Sequence, residues 1–246
     1  MQLGWDMAAY MGTRAIRELD LVSHNLANAS RIGFKQDRLF LWQLESAKIS
    51  PAEARQPQPA SYLDVRGRDF SQGAVHYTEG ETDIALEGPG FFKVETPRGT
   101  RYTRDGSFIL NPDRVLQTRE GYKVLSKNGA PIALNSIDQK FSIDEQGGVH
   151  MDNSLGDQIA VVDFPNPQAL TLEKGGYYAS GAGSGSEMEA PNARVLHGKI
   201  EESNVDPLMM AVKLIDIQRG FEAYLKVLDT FADNDRKVVD EIGKTA

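Results

Sequence analysis

Cysteine is absent from the 246 residues, which excludes disulfides, thiolate metal sites and a cysteine nucleophile. No stretch approaches the roughly 18 to 20 consecutive apolar residues that span a bilayer, and the N-terminus lacks the basic region and continuous apolar core of a cleaved signal peptide. The expectation is no membrane insertion, and a chain that is cytoplasmic or leaves the cell by a route that reads no such peptide. Basic charge is also short: 27 Lys and Arg stand against 35 Asp and Glu, a formal charge of −8. Nucleic acid and anionic lipid both reward clustered cations, so neither is an expected partner. With 40 % hydrophobic and 25 % charged residues, the composition is otherwise that of a folded protein whose stability must come from packing or assembly.

Recognisable catalytic patterns are missing too. His24, His76, His150 and His197 are far apart, without the spacing of a local metal motif. "EGPGFF" (87–92) lacks a Walker lysine and leads into a strand, so Gly88 and Gly90 read as turn residues rather than a phosphate cradle. No GxSxG elbow appears, and the many carboxylates single out no catalytic pair. The chain is therefore expected not to be an enzyme, with no catalytic residue, cofactor, metal or small-molecule substrate.

What is present is periodicity at both ends. Trp5, Ala8, Gly12, Ala15, Leu19, Val22 and Leu26 recur three and four apart, which predicts a helix from Leu3 to about Asn28 with one apolar stripe. Met210, Leu214, Ile217, Phe221, Tyr224, Leu228, Phe231, Val238 and Ile242 extend the same spacing, interrupted once by Asp235, along a second helix over 207–242, capped by Asp206 with Pro207 at its first position. The first stripe is rich in Ala and Gly, which bury little area each, so this helix needs a partner. The second carries large aromatics that a two-helix stalk covers only in part, so helices from other copies are expected to complete the burial.

Between the helices the period shortens to two. Ile84 and Leu86, Phe92 and Val94, Phe108 and Leu110, Tyr122 and Val124, Phe141 and Ile143, and Ile159 and Val161 read as short strands. They are separated by turns at "PRG" (97–99), "NPDR" (111–114), "KNG" (127–129) and "EQGG" (145–148). "ARQPQPA" (54–60) reads as a linker and "SGAGSGSEMEAP" (180–191) as a flexible loop. The fold class is therefore α+β: terminal helices at 1–35 and 203–246 forming a coiled-coil domain, a linker at 36–61, and a central all-β domain of many short strands at 62–202.

Three segments carry a resemblance. "SHNLANASRIGFKQDR" (23–38) resembles the N-terminal signature of the flagellar axial proteins, the rod, hook and hook-associated family, with His24 where the motif has its first Asn and Arg31 and Ile32 in its Thr-x region. "TDIALEGPGFFKVETPRGTRYTRDGSFILNPDRVLQTREGYKVL" (82–125) and "GKIEESNVDPLMMAVKLIDIQRGFEAYLKVL" (198–228) resemble the family's central and C-terminal motifs, in the same order.

The resemblance implies a structural subunit of the bacterial flagellar basal body, in the rod's periplasmic span. Its implied partners are copies of itself, neighbouring rod proteins and the flagellar type III export apparatus. Length, "NLANAS" and the divergent start "MQLGWDMAAYMGTRAIRELD" favour a proximal over a distal rod subunit. The implied assembly interface is Trp5, Leu19, Val22, Leu26, Met210, Leu214, Ile217, Phe221, Tyr224, Leu228, Phe231, Val238 and Ile242. The implied exit turn, where the chain leaves the inner helical domain, is Asn25, Leu26, Asn28, Gly33 and Phe34, with Asn28 as a left-handed cap, Gly33 as a turn and Phe34 as a buried anchor. The rival readings are a secreted coiled-coil stalk presenting a β head, and an enzyme with a deep pocket in the β domain.

Overall fold

The computed structural model describes residues 2–43, 62–134, 141–151 and 154–245, with side chains described for 11–40, 66–134, 141–151, 156–233 and 236–237. The linker segment 54–60 and the side chains of Trp5, Val238 and Ile242 lie outside the described residues. The order is one helix, many short strands and one long helix, an α+β chain. It divides into two units, one gathering Met1–Ala27, Leu39–Val65 and Asp206–Ala246, the other Asn28–Arg38 and Arg66–Val205.

The first unit is built on α1 (Gln2–Ala27) and α2 (Pro207–Thr245). Asp206 Oδ1 accepts the N–H groups of Leu208 at 2.9 Å and Met209 at 3.2 Å, an N-cap, and Pro207 follows where its missing N–H is not needed. At about 1.5 Å per residue the 39 residues of α2 extend on the order of 58 Å. The two helices touch where the stripe is smallest: a Cβ on Gly12 would lie 2.9 Å from Cε1 of Tyr224, so a larger residue there would have to displace the Tyr224 ring.

The second unit is the β domain. β1 (Asp37–Gln43) and β2 (Tyr62–Arg68) form a two-stranded ribbon that lies mostly in the first unit; within the second come β3 (Val75–Tyr77), β4 (Ile84–Glu87), β5 (Phe91–Thr96) and β6 (Gly99–Thr103). β5 and β6 are an antiparallel hairpin in register from Phe92↔Thr103 to Thr96↔Gly99, the centre of a nine-stranded sheet. β4 pairs with Arg194–His197 and β3 with Lys199–Glu201, so late residues of the domain close against its earliest strands.

Adjacent residues of a strand point to opposite faces, and the pair Phe91–Phe92 uses this to build two cores. Phe92 joins Ile84, Leu86, Val94, Phe108 and Val124 in the larger one. Phe91 joins Tyr102, Phe164, Leu170 and Tyr178 in a smaller aromatic one, with Tyr102 edge-on to Phe164 at 4.8 Å. Such edge contacts add about 0.5–1.5 kcal/mol each beyond area burial. Turns fall at the glycine-bearing segments, with positive φ at Gly99, Gly129 and Gly147, and at Arg114 of "NPDR".

Residues 180–191 differ from the flexible loop their composition suggests. Met188–Glu189 pairs with Val161–Asp163, and Glu187 takes bonds from Lys93 Nζ (2.6 Å) and Tyr102 Oη (2.8 Å). Glycine content describes the entropy of the free segment; here strand pairing and charged hydrogen bonds outweigh it.

Candidate assembly site: the exit turn and its clasp

α1 ends at Ala27, and residues 28–33 turn the chain with Arg31 N–H donating to the Asn28 carbonyl at 3.0 Å. The left-handed residue of the turn is Gly33, at φ +66°; Asn28 is not in that region, which corrects the expected Asn28 cap. The reason is local: the chain continues into further turns after Asn28, so reversal is delayed until the backbone must pass another segment closely. A Cβ on Gly33 would stand 2.5 Å from the Arg104 carbonyl carbon and the Asp105 nitrogen. Gly33 N–H donates to the Glu201 carbonyl at 2.7 Å, and Phe34 is buried.

The next residue is the centre of the site. Lys35 is fully buried, its Nζ donating to Glu201 Oε1 and to the Ser71 carbonyl, both at 2.6 Å. Gly73 N–H also donates to Glu201 Oε1 (2.9 Å), and Arg104 Nε lies 3.3 Å from Glu201 Oε2 while its Nη2 donates to the Gly88 carbonyl at 2.8 Å. Two cations thus share one carboxylate without solvent. Burial pushes the Lys35 ammonium below the usual lysine range, offset by the Glu201 carboxylate and reinforced by the neighbouring Arg104 charge. Burial depresses the Arg104 guanidinium likewise, against the pull of Glu201.

Asn204 completes a clasp between the outgoing and returning chain. Its Oδ1 accepts Gln36 N–H at 2.8 Å, and its Nδ2 donates to the carbonyls of Asp69 (2.9 Å) and Ser71 (3.1 Å). Beyond it Asp37 takes Arg66 at 2.8 Å and Arg68 at 3.0 Å, and the Arg68 guanidinium lies over the Tyr178 ring at 5.2 Å. Such an arrangement performs no bond chemistry; it fixes residues 33–37 to residues 201–204, and with them the direction of the chain as it enters and leaves the β domain.

The residues read as the assembly seam occupy the helical unit. Val22 and Met210 are buried, Leu19, Leu26, Leu214, Ile217, Phe221, Tyr224 and Leu228 are half-buried, and Phe231 is exposed. Asn25 of the exit motif is fully buried. The sequence reading passed over Lys35, Arg104, Glu201 and Asn204, although each lies inside one of the three quoted segments. A charged residue inside a signature is a usable signal, because a buried salt bridge leaves no hydrophobic period to read. Among the described residues no group of His, Asp and Glu is placed to hold a metal ion, and no helix is long and apolar enough to cross a membrane.

Comparison with known proteins accounts for both regions. Residues 85–151 match the family described as "Flagellar hook protein FlgE/F/G D1 domain" and residues 196–241 the one described as "Flagellar basal body rod FlgEFG protein C-terminal". The chain is 34 % identical to the flagellar basal-body rod protein FlgF of Caulobacter vibrioides, over 97 % of this chain and 99 % of that one. It is 33 % identical to the rod protein FlgG of Borreliella burgdorferi (95 % and 96 % covered) and 30 % identical to FlgG of Bacillus subtilis (87 % and 89 %). Full-length similarity at this level, with the domain matches in the order found in the fold, means that the chain belongs to the flagellar basal-body rod protein family.

Proposed function

We propose that this protein is a structural, non-enzymatic subunit of the flagellar basal-body rod, of the proximal FlgF-like kind, that polymerises through its terminal helices into the axial tube. The observation that carries the reading is the contrast in burial along α2: an apolar seam over about nine turns whose described members, Met210 apart, stay partly or largely exposed. Copies are exported unfolded through the type III apparatus, a route open to a chain that forms no disulfide. They add at the growing tip as neighbouring seams cover one another. Contacts of the head-to-tail kind do not close and so give a helical tube. The clasp at Lys35, Arg104 and Glu201 holds together the two segments by which the chain enters and leaves the β domain.

The 34 % identity with an FlgF over nearly the whole of both chains supports the proximal assignment, and the 33 % identity with an FlgG keeps the distal rod subunit as the second reading. Immunogold labelling of isolated hook-basal bodies with antibody against residues 60–200 separates them. Label at the rod segment nearest the inner membrane is the expected result. Label along the distal segment transfers the chain to the distal rod, and no label on intact, accessible basal bodies rejects a rod subunit in favour of a stalked binding protein.

A further inference from the structure

The tip of the β5–β6 hairpin borders a cleft of about 260 Å³ lined by Arg98, Arg101, Lys174, Glu173, Tyr122 and Tyr177. The two tyrosine rings meet edge to face at 5.2 Å and form an aromatic wall. Glu173 takes one bond from Arg101 at 3.0 Å and one from Arg98 at 3.2 Å. The cleft keeps accessible cations: Lys174 has no ion pair among the described residues, and the Arg98 side chain is 69 % exposed. A surplus of cations on a chain of net charge −8 is suited to an incoming carboxylate.

An acidic loop stands at the other end of the same hairpin. In "TEGETD" (78–83), Thr78 Oγ1 donates to Asp83 Oδ2 at 2.6 Å and accepts Gly80 N–H at 3.3 Å. Gly198 N–H donates to the Asp83 carbonyl at 2.8 Å, and His197 Nε2 is bonded to the Glu81 carbonyl at 2.7 Å. The base is pinned, Glu79 is held at φ +58°, and the Glu79 and Glu81 side chains are exposed. Asp83 bridges to Ser107, beyond the Thr103 end of β6, whereas the cleft lies at the Gly99 end. Four residues of strand at about 3.3 Å each separate the two ends by roughly 13 Å, too far for loop and cleft to meet within one copy.

We propose that the cleft receives the Glu79–Glu81 loop of a second copy, a head-to-tail contact between β domains that adds to the helical seams. This rests on the rod-subunit reading and names a further surface used in it. Its two halves are different patches of one molecule, as a non-closing assembly requires.

The absence of cysteine makes the test direct, since introduced thiols are the only ones. Full-length chain carrying Glu81→Cys and Lys174→Cys is oxidised with copper phenanthroline while polymerisation is followed by light scattering. The expected result is a ladder of dimer, trimer and larger species on a non-reducing gel, with no ladder beyond dimer from either single variant. Scattering that rises without a ladder overturns this contact and leaves rod assembly standing; no scattering and no cross-link at any concentration overturns both. Charge reversal at Arg98 and Lys174 (both →Glu), or at Glu79 and Glu81 (both →Lys), is expected to slow polymerisation at least several-fold, and the four changes in one chain to restore it. Failure of that rescue, with all variants folded, contradicts the contact. Saturable binding of oligogalacturonate that charge reversal abolishes, with no ladder, assigns the cleft to an acidic saccharide instead.

Discussion

In the β domain Ile84, Leu86, Phe92, Val94 and Val124 are wholly removed from solvent, whereas on α2 Met210 is the one buried member of the described seam and Phe231 remains 44 % exposed. Both regions are rich in apolar side chains, and they spend them differently. The β domain closes two cores on either face of one sheet with its own strands, and its buried Lys35 and Arg104 are matched by Glu201. The helices bury what a two-helix contact allows and carry the remainder outward. One chain thus combines a part that buries its apolar residues by itself with a part that leaves many of them exposed, the division expected of a subunit that polymerises as proposed above.

The strongest way to break this comparison is Phe221→Asp. A charge in the seam is expected to abolish incorporation into rods, read by the absence of the mutant from purified basal bodies. The β domain's unfolding is expected to be unchanged, read by near-ultraviolet circular dichroism; normal rods containing the mutant would mean the seam is not an interface. Glu201→Ala is the reciprocal change. It strands Lys35 and Arg104 in a dry site and is expected to destabilise the β domain by about 3–5 kcal/mol, measured by urea unfolding, with the helical content of the free chain unaffected.

Gly33→Ala is expected to cost more than the roughly 1–2 kcal/mol of a left-handed backbone alone, because the added Cβ at 2.5 Å meets backbone of Arg104 and Asp105 that has no room to yield. The same urea measurement reads it, and a loss below about 0.5 kcal/mol would show that the turn relaxes freely.

The smallest effect is at the surface of the β domain, where burial raises the Asp144 carboxyl but hydrogen bonds from His150 and from the backbone N–H groups of Gly148 and Gln146 outweigh it and hold its pKa below the ordinary 3.8. A carboxyl with a depressed folded pKa contributes stability that is present above the unfolded value and lost as pH falls through the folded one. Wild type is therefore expected to lose its advantage over Asp144→Asn as pH falls through and below the ordinary carboxylate range; a constant difference between pH 7 and pH 3 contradicts this.

The elements with a clear period were legible before the structure. Seam residues three and four apart predict α1 and α2 to within a few residues, and the alternating pairs from Ile84 to Val161 fall in or against the larger core. The clasp was not legible because its parts share no period: Lys35 and Glu201 are 166 positions apart, and a buried lysine looks in sequence like any surface cation. Asn28 misled for a related reason. Its tolerance of left-handed backbone is a propensity, and the requirement fell on Gly33, where Arg104 of a distant hairpin approaches. The ordered 180–191 segment was hidden in the same way, since Glu187 finds Lys93 and Tyr102 only after the sheet has formed.

The measurement that tests the central claim most directly is amide hydrogen exchange on the full-length chain, free in dilute solution and within purified rods. The account predicts strong protection of β4, β5 and β6 in both states, and protection of α2 that is weak in the free chain and rises in the rod to match the β domain. Helices already as protected in the free monomer as the β strands, with no gain on assembly, would contradict it.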